Sequence, residues 1–176
     1  MGFSHAAAIV FLLSPLFLYA NAVPVRFVEG LSRGFLVLGS ENGQKIGDGE
    51  SEQVAHGDRV EARLTIRFRD GSFYDDRTTF SQRTVFHLLT DHVIQRGPSF
   101  KTPMDTLIDT STDQVTVRCT DSHKRERVLQ KHMGLPADLA NGMIFTLVKN
   151  LDPRATSNHF AVSCDDSAAE TCDPTL

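Results

Sequence analysis

The chain has 176 residues, 23% of them charged, and a formal net charge of −4. The acidic excess sits in the tail, where Asp165, Asp166, Glu170 and Asp173 meet no Lys or Arg. The balanced body carries no basic stripe, which argues against nucleic acid as a partner.

The N-terminal run "AAAIVFLLSPLFLYA" followed by Ala20-Asn21-Ala22 has the layout of a secretory signal peptide cleaved after Ala22. It is too short for a membrane span, and Pro15 interrupts it. Residues 1–22 are therefore expected to be removed, leaving a single exported, secreted or periplasmic domain over 23–158 with no transmembrane segment.

The mature chain opens on "VPVRFV" and then Gly30-Leu31-Ser32-Arg33-Gly34, which matches G-x-S-x-G, the nucleophile elbow of serine hydrolases. An elbow needs a strand before the serine and a helix directly after it. "FLVLGS" after Gly34 reads instead as a strand, so Ser32 is expected in a turn between strands. Asn42-Gly43 marks a hairpin into "DGESEQVA", and His56-Gly57-Asp58 marks the turn opening the next strand.

"RVEARLTIRF" alternates strictly. Val60, Ala62, Leu64, Ile66 and Phe68 take one face; Glu61, Arg63, Thr65 and Arg67 take the other. Asp70-Gly71 predicts a type I′ turn into "SFYDDRTTF". "TVFHLLTDHVIQRG" is read as a strand because β-branched residues recur in it. "IDTSTDQ" is a turn in which Asp109 and Ser111 bond their own backbone, and "QVTVRCT" is a strand with Val115, Val117 and Cys119 on one face. "HKRERVLQKH" reads as a solvated hairpin edge. Residues 136–151 predict an amphipathic helix, with Pro136 near its start and Leu139, Met143, Ile144, Leu147, Val148 and Leu151 at 3–4 spacing. Residues 159–176 form an acidic tail, expected to be disordered.

The fold class is thus mainly β (α+β): a curved antiparallel meander or half-barrel of six or seven strands, with one C-terminal amphipathic helix across its concave side. What the helix leaves open would be an apolar groove, with Leu64, Ile66, Phe68, Met143 and Leu147 as its candidate lining. Twelve Phe, two Tyr and no Trp suit burial or an acyl-chain lining better than a stacking platform for sugars or bases.

His87, Asp91 and His92 are the densest ionisable cluster and the alternative candidate for catalysis, as a small secreted hydrolase. On a regular strand His87 and Asp91 share a face while His92 points the other way. Asp75 and Asp76, near Asp70, take opposite faces and cannot form a glycosidase pair alone; they read as a solvated strand edge. Cys164 and Cys172 could pair in an oxidising compartment, leaving Cys119 as a small buried hydrophobe. No cofactor and no metal site is expected, since the cysteine and histidine spacing lacks a zinc pattern.

"EGLSRGFLVL", "GDGESEQVAHGDRV", "FRDGSFYDDRTTFSQRTVFHLLTDH", "QRGPSF" and "LPADLANGMIFTLVKNL" resemble uncharacterised secreted bacterial proteins of unknown function. The strand meander with a late helix also looks like periplasmic half-barrels of the lipoprotein-carrier type. The first resemblance implies a shared fold and carries no catalytic residue across. The second implies a concave face for acyl chains, with a lipid, another apolar ligand or an envelope protein as partner. After about Asn158 the chain departs from the first pattern, so a truncated or frame-shifted end stays open. Together these observations point to an exported non-enzymatic protein.

Overall fold

The computed structural model describes residues 22–120, 124–155 and 161–162. The expected leader up to Asn21, Cys164, Cys172 and all of the acidic tail apart from 161–162 lie outside the described residues.

Eight strands follow one another: β1 (Ser32–Gly39), β2 (Lys45–His56), β3 (Arg59–Phe68), β4 (Phe73–Gln82), β5 (Phe86–Arg96), β6 (Met104–Asp109), β7 (Gln114–Thr120) and β8 (Glu126–His132). Each pairs antiparallel with the next, giving one unclosed sheet in simple sequence order. The count exceeds the expected six or seven. The short β6 is easily missed, because Thr106 interrupts the inward pair Met104 and Ile108 and weakens the apolar alternation.

The hairpin turns follow their glycines. Gly43, Gly57 and Gly71 all have positive φ, the left-handed conformation that side chains avoid. The Asp70-Gly71 turn differs from the two-residue type expected. The Phe68 amide donates to the Ser72 carbonyl and the Gly71 amide to the Phe68 carbonyl, so the loop has three residues and only Gly71 is left-handed.

Ser32 is likewise not in a turn. It opens β1 opposite Gln53, and Gly34 pairs with Ser51 inside the same strand. No helix follows it, so the elbow geometry is absent.

Strand alternation separates an inner apolar face from an outer polar one. Val60, Phe80, Leu88, Ile108, Val115 and Val117 belong to the inner core. Phe80 and Phe86 meet edge-on with ring centroids 6.0 Å apart. Each such side chain contributes about 1.5–3 kcal/mol by leaving water.

The inner face is covered by the segment from Val23 to Glu29 and by residues 135–151. Within the latter only Ile144–Asn150 is helical (α1), where the sequence predicts a helix over 136–151. Gly142 accounts for the difference. At φ +66° it is left-handed, which no α-helix interior accepts, so 136–143 runs as turns and Leu139 bridges to Ala161. Leu139, Ala140, Met143 and Leu147 are buried against the sheet, while Phe145 and Val148 point outward.

The end of α1 is fastened to the N-terminal segment. Asn150 Oδ1 accepts from the Arg26 and Phe27 amides at 2.9 and 2.7 Å. Lys149 Nζ reaches Glu29 Oε1 at 2.6 Å.

Cys119 corrects another expectation. It is buried on the inner face as its alternation predicts, but it is disulfide-bonded rather than a free small hydrophobe. The chain holds three cysteines, so one thiol per chain should titrate in denatured, unreduced protein. Non-reducing peptide mapping should place Cys119 in a cross-linked peptide. Three titratable thiols would contradict the bond.

Candidate functional site

The polar residues that the sheet buries on its inner side form the most unusual feature of the described structure. Tyr74, Asp76, Thr78 and Phe80 alternate inward along β4. Opposite them on β5, Thr78 pairs with Asp91 and Asp76 with Val93. Thr78 Oγ1 lies 2.8 Å from Asp76 Oδ1 and 3.0 Å from Asp91 Oδ1. Tyr74 Oη donates to Asp76 Oδ2 at 3.1 Å, and Asn141 bonds Asp91 from above.

Asp76 is 5% exposed and Asp91 1%. Tyr74 donates to Asp76 and Asn141 bonds Asp91, and a protonated Asp91 adds a hydrogen bond of its own to Asp76. Burial first, then the charge and hydrogen bond of Asp76, push Asp91 up to about 8, against weaker opposition from Thr78 and Asn141. Burial, followed by the Asp76 carboxylate, likewise raises Tyr74, which stays a phenol.

Two carboxyls sharing a proton can act as a general acid and base when a substrate reaches them. Here Gly142 closes the approach: a Cβ added to it would collide with Thr78 Oγ1 and stand 2.9 Å from Asp91 Oδ1. The pair therefore fastens the segment before α1 to the sheet.

The expected cluster His87, Asp91 and His92 is not assembled, and its faces are redistributed. The β4–β5 register shifts between the pairs Thr79–Thr90 and Phe80–Leu88, leaving Leu89 as an extra residue. This bulge reverses the alternation beyond it. His87 and His92 consequently share the outer face, while Asp91 turns inward. His87 Nδ1 lies 3.2 Å from the Ala137 carbonyl, and His92 Nε2 lies 2.8 Å from Asp105 Oδ1. Among the described residues no group of three or more His, Cys, Asp or Glu side chains gathers as metal ligands.

Asp75 faces outward opposite Asp76 but is not a solvated edge residue. Arg63 Nε and Arg77 Nε hold its two oxygens at 2.6 and 2.9 Å, and Thr65 donates at 3.0 Å. Burial works against its charge, yet the hydrogen bonds from Arg63 and Thr65 and both guanidinium charges hold it below the usual carboxylate range. Sequence reasoning placed the two aspartates on opposite faces and missed that both are buried. The available signal was inward parity: Asp76 and Thr78 interrupt an otherwise apolar face.

The groove candidates divide. Met143 and Leu147 are 2% exposed and belong to the core; they plug the inner face rather than line an opening. Leu64, Ile66 and Phe68 remain half-buried on the inner face of β3, as do Leu36 and Leu38 on β1. Between them the inward positions of β2 are Gly47 and Gly49, which pair with both neighbours.

A Cβ at Gly49 would come within 2.7 Å of the Thr65 carbonyl oxygen, so only glycine permits this approach of β2 to β3. Ile66 Cγ1 and Leu36 Cβ both lie close to that position, at 3.4 and 3.5 Å. The result is an apolar strip with a side-chain-free floor. Phe100 closes one end, edge-on to Phe68 at 5.7 Å.

Comparison with protein-family models, curated proteins and solved structures returns no match. Among the described residues no helix is long and apolar enough to cross a membrane.

Proposed function

We propose that this chain is an exported, non-catalytic binding protein. Its sheet is a curved half-barrel that holds an apolar, lipid-like ligand against the strip formed by Leu36, Leu38, Leu64, Ile66 and Phe68. The observation that carries the reading is that these five side chains are only partly buried, beside the bare floor of Gly47 and Gly49. A densely filled core lies only a few residues away, so the strip is apolar surface that the fold itself covers only in part. The scattering of His87, Asp91 and His92 supports binding over hydrolysis, the alternative. Export rests on the leader, with the mature chain beginning at Val23.

The test is titration of the mature protein with the fluorescent fatty acid cis-parinaric acid, alongside native mass spectrometry of freshly purified material. Saturable one-to-one binding is expected. It should weaken about tenfold or more when Leu64 and Ile66 are both replaced by Gln, since each removes methylene contacts of about 0.8 kcal/mol per group. Absence of saturable binding by a protein with native circular dichroism would refute the reading. So would a Leu64→Gln/Ile66→Gln variant that binds unchanged.

A further inference from the structure

The two edges of the sheet are built differently. β8, "ERVLQKH", carries Glu126, Arg127, Lys131 and His132, with Arg127 and Lys131 at inward positions opposite Cys119 and Val115. Charges of this kind, inward ones above all, discourage a further strand from pairing. β1, "SRGFLVLG", carries one charge, Arg33, on its outer side and no inward one. Its central residues are apolar on both faces, and Phe35 and Val37 are 79% and 71% exposed. On the side away from β2 it pairs with no strand among the described residues, so one row of its amide and carbonyl groups has no ladder partner there.

We propose that β1 pairs antiparallel with β1 of a second copy of this chain, about a two-fold axis at Leu36, joining two sheets into one. The sequence of the edge selects this occupant and this register. With Leu36 opposite its own counterpart, Phe35 faces the partner's Val37 on the outer side, a favourable aromatic–β-branched pair. On the inner side Leu38 falls opposite the partner's Gly34, where an added Cβ would have no neighbour within 4 Å. The large side chain thus meets the vacant position.

Arg33 falls opposite Gly39, so no like charges oppose each other, and Arg33 keeps its own partners Glu50 and Glu52 at 3.1 and 3.2 Å. Shifting the axis to Phe35 sets Arg33 against Val37. Shifting it to Val37 sets Phe35 against Gly39 and loses the aromatic pair. The interface is isologous, as expected for a closed dimer, and it brings the two apolar strips side by side on the same face. It does not depend on what those strips bind.

The experiment is light scattering coupled to size exclusion on the thiol-blocked mature protein across a concentration series. A dimer is expected. Phe35→Lys and Val37→Lys change only exposed outer positions and should each weaken dimerisation by at least about tenfold. Val128→Lys, at an exposed position on β8, should leave it unchanged. A nitroxide attached at Phe35→Cys should show strong dipolar broadening, because the axis places the two labels on neighbouring strands. A protein that stays monomeric throughout the series overturns the proposal. So does a dimer that survives both lysine variants, or one disrupted by Val128→Lys instead.

Discussion

Gly142→Ala is expected to destabilise the protein by about 3 kcal/mol, lowering the melting temperature by roughly 10 °C. Two costs combine. The left-handed φ of +66° penalises any Cβ by about 1–2 kcal/mol. The new methyl would also collide with Thr78 Oγ1 and stand 2.8 Å from Thr78 Cβ, so either the segment 138–143 lifts or Thr78 leaves the two aspartates. Gly57→Ala provides the control. Its φ is +62°, but an added Cβ meets nothing within 4 Å, so only the backbone cost of about 1 kcal/mol remains. Urea unfolding followed by far-ultraviolet circular dichroism measures both, since the chain has no Trp. Equal losses in the two variants would show that Gly142 does not press on the acidic pair.

The second large effect is a pH dependence with its own sign. Asp91 is raised to about 8 in the folded state, against an ordinary aspartate near 3.9 when unfolded. Between these values the native protein holds a proton that the unfolded chain has released. Stability therefore falls as pH rises through that window, by up to about 1.4 kcal/mol per pH unit, and levels off above it.

Asp75 has the opposite sign. Held below its usual range by burial-resisting bonds from Arg63, Thr65 and Arg77, it loses its contribution only as pH drops below about 4. The two windows do not overlap, so a stability profile separates them.

Asp91→Asn keeps the shape and donates to Asp76 without a titrating proton. It should flatten the slope between pH 4 and 8 and raise stability at pH 8 by about 2–4 kcal/mol. A variant profile parallel to that of the native chain would mean that the pair shares no proton.

Most of the strand framework is legible in the chain. The parity of residues 60–68 holds in β3, and Asn42-Gly43 and His56-Gly57-Asp58 close the hairpins they predict. Asp109 accepts from the Ser111 amide at 2.9 Å, as its turn requires. These features are local: alternation, and glycines that take a conformation other residues avoid. The errors arise where a distant contact overrides local pattern. Residues 136–143 have the spacing of a helix, but Gly142 must fit over Thr78 and Asp91, and that contact unwinds the first half. His87 and Asp91 have the spacing of one strand face, but the extra residue Leu89 reverses it.

The candidate sites divide in the same way. Leu64, Ile66 and Phe68 could be assigned to one face from alternation alone. Which apolar residues the cover would bury and which it would leave at the surface depended on where α1 starts and how the Val23 segment crosses the sheet. The sequence by itself determined the strand parity, the hairpins, the polar outer face and the apolar composition of β1, because each depends on neighbours a few residues apart. Only the tertiary structure decided the burial of Asp75 and Asp76, the meeting of Asp76 with Asp91, and the partial burial of the strip. Those follow from strand register and packing between segments far apart in the chain, which no local period encodes.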